Sequence, residues 1–305
     1  MLPLSGQQIK DRQSKWARVV LNNSFLIDQY HFYTARIFLP LTQVCYHEFG
    51  KGRREIEGRH NPAGSHKESP KRAAERGVTM LQIVIFDMFE TLVTLFTGRT
   101  YFGEDAAADV GIDPATYRKA WHENEIDRST GKLTMKEGIA LTLKTLGIYS
   151  EDKVDLIASK RLAALGDTFN SIPDDTVKLL EELKKRGVKI GLITNTFSDE
   201  RDLIRGSRIF PFFDTVRISY EEGIQKPDPR LYQSIMDEFG VTADQCLFVG
   251  DGGSRELYAA RDIGMKAVQA SWFRELAFEP HIPCPVLPEF PQVMNQLDVL
   301  DYLDA

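Results

Sequence analysis

The stretch Leu81-Gln82-Ile83-Val84-Ile85-Phe86-Asp87-Met88-Phe89-Glu90-Thr91-Leu92 decides the fold. Residues 83–86 are apolar without alternation, and an acid, Asp87, follows them. An unbroken apolar run of this length reads as a strand covered on both faces, the pattern of a parallel sheet flanked by helices. Asp87 then stands at the carboxyl end of that strand, where open α/β sheets bind their ligands.

Working outward, similar runs recur at 188–194, 215–218, 246–249 and 266–270. Amphipathic stretches at 176–186, 198–205, 229–239 and 254–263 separate them. Strands alternating with helices predict an α/β fold with a doubly wound parallel sheet, Rossmann-like in plan. Gly187 and Gly264 each stand just before a strand, as glycines that end helices do. The interval between the first two strands breaks the rhythm and reads as helices alone, at 114–128, 134–146 and 150–169. Asp113 before Pro114 suits a helix start, and Thr134 with Glu137 fits a capping box.

The residues after the other strands complete a chemical set. Thr194-Asn195 follows the second run, Lys226-Pro227-Asp228-Pro229 precedes a helix, and Asp251-Gly252-Gly253-Ser254, with Glu256 beyond, follows the fourth. A strand-end carboxylate can attack phosphorus or carbon and form a covalent intermediate. A second carboxylate beside it can share a hard divalent cation through oxygen. A lysine and a hydroxyl can hold an anionic group and offset charge in the transition state.

On these four motifs, taken in order at strand ends, the sequence resembles the haloacid dehalogenase (HAD) superfamily of hydrolases from about residue 80 to its end. The resemblance implies Asp87 as nucleophile, Thr194 as the phosphate-binding hydroxyl and Lys226 as the lysine of the third motif. It implies a Mg²⁺ site made by Asp87, the Phe89 carbonyl and Asp251, with Glu256 in the acidic position that follows. One residue departs from the pattern: phosphatases of the superfamily usually carry an aspartate as general acid two residues after the nucleophile, and here that residue is Phe89. Haloacid dehalogenases resemble this sequence there, but they typically lack the metal-binding acid that Asp251 supplies. Glu90 is a candidate substitute acid, its side chain expected to face solvent.

The expected function is a Mg²⁺-dependent phosphatase of a small phosphorylated metabolite, working through an aspartyl-phosphate. The alternatives are a metal-independent 2-haloacid dehalogenase and, in another class, a non-catalytic binding protein on the same fold. The expected division is a core of residues 80–96 and 172–305 with a helical cap at 97–171. Asn195, Arg99 and Trp121 are the expected substrate-binding residues, and Arg118, His122, Arg128 and Tyr101 are further candidates near the cleft.

Composition bounds the rest. The chain has 305 residues, 42% hydrophobic and 27% charged, with a net charge of −6 that argues against a bulk polyanion binder. The charge is uneven: residues 1–79 carry a net +6 and the remainder a net −12. That first segment reads as a basic, unstructured extension, or as sequence translated ahead of a natural start at Met80. A basic arm leaves some room for nucleic acid. Cys45, Cys246 and Cys284 are scattered with no paired spacing, which suits a reducing, cytoplasmic setting rather than a disulfide framework. The apolar stretch 32–46 is interrupted by Arg36, Pro40 and Gln43 and falls short of the ~20 residues that a bilayer span needs. Nothing in the sequence identifies an oligomeric state.

Overall fold

The computed structural model describes residues 80–281 and 283–303. The basic segment 1–79, with Cys45, lies outside the described residues. Six parallel strands form one sheet: β1 (Ile83–Phe86), β2 (Lys189–Thr194), β3 (Thr215–Ile218), β4 (Cys246–Gly250), β5 (Lys266–Ala270) and β6 (Gln292–Val293). Their order is β3-β2-β1-β4-β5-β6, so β1 lies in the middle, with β2 on one side and β4 on the other. Ile85 is in register with Gly191 of β2 and with Phe248 of β4. The chain winds one way from β1 and then the other, and the crevice at this switch falls beyond Phe86, Thr194 and Gly250.

The faces of β1 explain why its sequence does not alternate. Val84 and Phe86 join one core, which also takes Leu179, Leu180 and Leu183. Ile83 and Ile85 join a second core on the other face, with Leu231, Tyr232, Ile235 and Leu257. All four strand residues are fully buried. Each such side chain contributes ~1.5–3 kcal/mol of hydrophobic stabilisation against exposure.

Helices connect the strands. Between β1 and β2 come α1 (Gly103–Val110), α2 (Pro114–His122), α3 (Glu125–Ser129), α4 (Met135–Thr145), α5 (Glu151–Asn170) and α6 (Asp174–Lys185). Then follow α7 (Ser198–Gly206), α8 (Ser219–Glu222), α9 (Pro229–Phe239) and α10 (Glu256–Asp262). Helices α1, α2, α4 and α5 share an apolar cluster built on Ala107, Tyr117, Ile139, Leu143 and Ile157. The helix starts follow local chemistry. Asp113 accepts from the Thr116 amide at 2.9 Å, and Thr134 and Glu137 close a reciprocal capping box.

Three local expectations change. The stretch expected as one helix at 114–128 is two, because the chain breaks at Glu123 and Asn124. Asn124 turns its amide inward to Thr142 Oγ1 at 3.0 Å, and so leaves the helical path. Helix α1 was not expected, since its Ala-rich sequence shows no periodic large apolar residues. The edge strand β6, two residues long, is too short to show a period. No helix among the described residues is long and apolar enough to cross a membrane.

Candidate active site

Asp87 leaves the end of β1 with its amide donating to Val249 of β4 at 2.9 Å, which fixes the carboxylate over the crevice. The chain then folds back, so that the amides of Leu92 and Val93 both donate to the Met88 carbonyl, at 2.8 and 3.0 Å. Lys226 Nζ stands 2.6 Å from Asp87 Oδ1 and also contacts Glu256 Oε2. Both Lys226 and Glu256 are buried. Burial alone would depress the lysine, but the carboxylates of Asp87 and Glu256 overcome it and hold the ammonium above its ordinary range.

Asp251, at the end of β4, accepts from the Gly253 amide at 2.8 Å. Burial, and then the neighbouring charge of Asp87, push its carboxyl up to about 6. Asp87, Asp251 and Glu256 each bring an oxygen within 4.8 Å of the others. Three carboxylates against one ammonium leave the cluster short of positive charge, and an all-oxygen donor set suits a hard divalent cation. The residues thus fit a hard divalent cation such as Mg²⁺. The Phe89 carbonyl accepts no hydrogen bond among the described residues.

Glu256 pairs with Lys226. Its Oε2 meets Lys226 and its Oε1 accepts from the Gly252 amide at 3.2 Å, so both oxygens are already engaged. The carboxylate packs under β4, where a Cβ on Gly250 would lie 2.0 Å from Oε1. The turn that delivers it is strained, with Ser254 and Arg255 both left-handed at φ 53° and 55°.

Asn195 braces the lysine loop. It accepts from the Lys226 amide at 2.8 Å and donates to the Lys226 carbonyl and to Ser254 Oγ, each at 3.2 Å. Expected to bind substrate, it ties three motif loops together. Thr194, one residue earlier, buries its Oγ1 with no hydrogen-bond partner. An enclosed hydroxyl without a partner at a strand end is a place for a ligand oxygen.

The other expected residues are placed as follows. The Phe89 ring packs edge-on against Phe169 of α5, with centroids 6.1 Å apart. Glu90 does not face solvent as expected. It adopts a left-handed φ of 54° and accepts from Thr94 Oγ1 at 2.7 Å and from the Leu95 amide at 2.9 Å. Burial raises its carboxyl to about 7. Arg99 is exposed and faces Asp167 in an ion pair at 3.6 Å. Trp121 takes the Arg128 guanidinium 3.5 Å from its ring centroid. Arg118 pairs with Glu104, and His122 with Glu125 at 2.6 Å.

Contacts that sequence reading missed join helices α3 to α5 to these loops. Ser129 donates to Gln225, next to Lys226, and Ser198 accepts from the Met135 amide at 2.9 Å. Arg161 of α5 grips Asp199 at 2.8 Å and also Glu200. No spacing signal marks partners this far apart in the chain.

Comparison with known proteins agrees with this geometry. Residues 81–264, more than half of the chain, match the family model of haloacid dehalogenase-like hydrolases. The chain is 38% identical over 90 residues to a phosphoserine phosphatase of Thermus thermophilus, a match covering 29% of this chain and 36% of that protein. It is 31% identical over 130 residues to a glyceraldehyde 3-phosphate phosphatase of Pyrococcus furiosus, covering 40% and 52%. The chain therefore spans about a third to a half of the length of these two relatives. The glyceraldehyde 3-phosphate phosphatase of Methanothermobacter thermautotrophicus is matched more fully, 30% identical over 198 residues, 62% of this chain and 85% of that one. A 2-haloacid dehalogenase structure from Pseudomonas syringae superposes with a TM-score of 0.51 at 21% identity, covering 74% of this chain and 99% of that one. A HAD family enzyme of Bacteroides thetaiotaomicron, solved with magnesium and inorganic phosphate, superposes with a TM-score of 0.50 at 17% identity, covering 63% and 94%. Those two likenesses bear on the fold alone. With Asp87, Thr194 and Asp251 at strand ends of such a sheet and Lys226 in the loop before α9, the chain belongs to the haloacid dehalogenase-like hydrolases.

Proposed function

We propose that the chain is a Mg²⁺-dependent phosphatase acting on a small phosphorylated metabolite, with Asp87 as nucleophile. The observation that carries the reading is Asp251, held beside Asp87 with oxygens within 4.8 Å. Displacement of halide by Asp87 calls for no cation, whereas a phosphatase of this kind uses a second carboxylate to hold one. The named phosphatase relatives support the same reading.

In this mechanism an Asp87 oxygen attacks phosphorus and the ester oxygen leaves, giving an aspartyl-phosphate. Water then attacks that phosphorus, releasing inorganic phosphate and restoring Asp87. Lys226 offsets charge on the nucleophile and on the transferring group, and Glu256 and Asn195 hold it in place. The buried Thr194 hydroxyl donates to a phosphoryl oxygen. Bound Mg²⁺, held by Asp87, Asp251 and the Phe89 carbonyl, would supply further charge for the phosphoryl oxygens. We assign Glu256 to positioning Lys226, since both its oxygens are engaged. Residues 97–171 form the cap in this reading, and 80–96 with 172–305 the core.

Phe89 gives the dehalogenase reading its support, but its ring already has a packing role against Phe169. The deciding experiment is turnover of an aryl phosphate and of a 2-haloacid, each with Mg²⁺ and with chelator. Metal-dependent phosphate release supports the proposal. Metal-independent halide release with no phosphate release overturns it.

A further inference from the structure

Gln269, in β5, is fully buried at a strand position whose neighbours Val268 and Ala270 are apolar. A buried amide is costly unless its polar atoms are paired. Here all four of its hydrogen-bonding positions are filled. Nε2 donates to the Asp251 carbonyl at 2.7 Å and to the Pro285 carbonyl at 2.9 Å. Oε1 accepts from the Leu287 amide at 2.8 Å and from Gln292 Nε2 at 2.7 Å. Three of these partners are backbone groups of fixed sense, so the amide can point only one way.

The sheet puts the amide there. Gln269 is in register with Gly250, the residue before Asp251, and on its other side with Gln292 of β6. Gly252, left-handed at φ 97°, leaves room for the approach: a Cβ there would lie 3.1 Å from Gln269 Nε2 and 2.9 Å from Leu287 Cδ1.

The turn 251–253 is held at three backbone groups. Gln269 takes the Asp251 carbonyl, Glu256 takes the Gly252 amide and the Asp251 carboxylate takes the Gly253 amide. Of these three holders, Gln269 is the one that ties the turn to β5 and to the loop beyond it. Pro283 and Cys284 of that loop, with Arg274, wall the space beside Asp251 and Glu90. One amide thus braces both the acid and the wall next to it. Packing alone asks for no amide, since a methionine would fill a similar volume.

Resting on the phosphatase reading above, we propose that Gln269 is a positioning residue: its amide fixes the turn that carries Asp251 and so sets the affinity of the site for Mg²⁺. Gln292 provides the control. Its hydrogen bonds go to Gln269, Leu287, Phe290 and Ser271, none of them in the turn.

The test measures Mg²⁺ binding to the full chain by titration calorimetry. Thermal unfolding without metal, and turnover of p-nitrophenyl phosphate across a range of Mg²⁺, accompany it. Gln269→Met should bind Mg²⁺ about 10–100-fold more weakly than the wild type. Its turnover should fall at low Mg²⁺ and return towards the wild-type kcat as the metal is raised. Gln292→Met should unfold at a lower temperature but keep the wild-type affinity for Mg²⁺. Gln269→Glu keeps the length and an acceptor but loses the amine that serves Asp251, and it replaces the methionine variant should that one not fold. The wild type supplies a readout that needs no variant: the Gln269 side-chain amide, followed by NMR with isotope-labelled glutamine, should shift along the calorimetric Mg²⁺ isotherm. Unchanged Mg²⁺ affinity in a folded Gln269 variant, equal weakening in Gln269→Met and Gln292→Met, or an amide signal that ignores Mg²⁺ overturns this inference alone. A wild type that neither binds Mg²⁺ nor releases phosphate overturns the phosphatase reading and this inference with it.

Discussion

Asp87, Asp251 and Glu256 crowd three carboxylates around the single ammonium of Lys226, and each neighbour has a visible job. Phe89 is where the sequence departs from the phosphatase pattern and where a residue-level prediction is sharpest. If a missing proton donor limits turnover, Phe89→Asp restores one two residues from the nucleophile. General acid catalysis is worth ~10²–10⁴-fold. The gain should appear on alkyl phosphates, whose leaving alkoxide needs the proton, and be small on aryl phosphates. Opposing it, the variant loses the ring contact with Phe169. The readout is the alkyl-to-aryl ratio of turnover in both proteins. A ratio that does not move, in a variant that remains folded, means that the proton comes from elsewhere. The strand-end acids and Thr194 were legible because each stands at the end of a recognisable apolar run, and Lys226 because Pro227-Asp228-Pro229 beside it marks a helix start. The second role of Asn195 was not, because its partners Lys226 and Ser254 come from loops distant in sequence.

At the scale of elements, two helix glycines make opposite predictions. Gly166 in α5 has no atom within 4 Å of the place a Cβ would occupy, whereas Gly138 in α4 has Arg128 Cδ at 2.3 Å. Replacing glycine by alanine in a helix gains ~1 kcal/mol in propensity. At Gly166 nothing opposes it, and the midpoint of thermal unfolding should rise by about 2–4 °C. At Gly138 the displaced methylenes belong to a side chain confined near two rings, and overpacking of ~1–3 kcal/mol should outweigh the propensity and lower the midpoint. A rise for Gly138→Ala matching that for Gly166→Ala would mean that Arg128 is not confined. Amphipathic helices such as α6 and α9 were legible from period and caps. Helix α1 was hidden by its alanines, and the break between α2 and α3 is made by Asn124 bonding to α4, a tertiary contact without a local signal.

For the whole molecule, the crowded carboxylates set a pH dependence. Asp251 has its carboxyl raised to about 6, chiefly by burial, so the folded chain holds that proton more tightly than the unfolded chain does. Its contribution is fully present below the ordinary aspartate value and is lost as pH rises through about 6. Glu90 and Glu256 act in the same direction. His281, lowered by burial, acts in the opposite direction, so the comparison must be with a variant. Without metal, Asp251→Asn should narrow the fall in unfolding midpoint between about pH 5 and pH 8. Mg²⁺ should raise the wild-type midpoint more at the higher pH, because it relieves the same repulsion. A fall of equal size in wild type and variant would detach Asp251 from the cluster.

The doubly wound plan follows from five apolar runs alternating with amphipathic helices, which is why the plan of the molecule was more legible than its contacts. The central claim is that Asp87 carries the phosphoryl group during turnover. The most direct measurement is acid quenching of the enzyme while it turns over an aryl phosphate, followed by mapping of the phosphorylated peptide. The account predicts a labile phosphoryl group on Asp87, lost in Asp87→Asn together with roughly 10³-fold or more of the turnover. Undiminished turnover in that variant, or a phosphoryl group found on another residue, would contradict it.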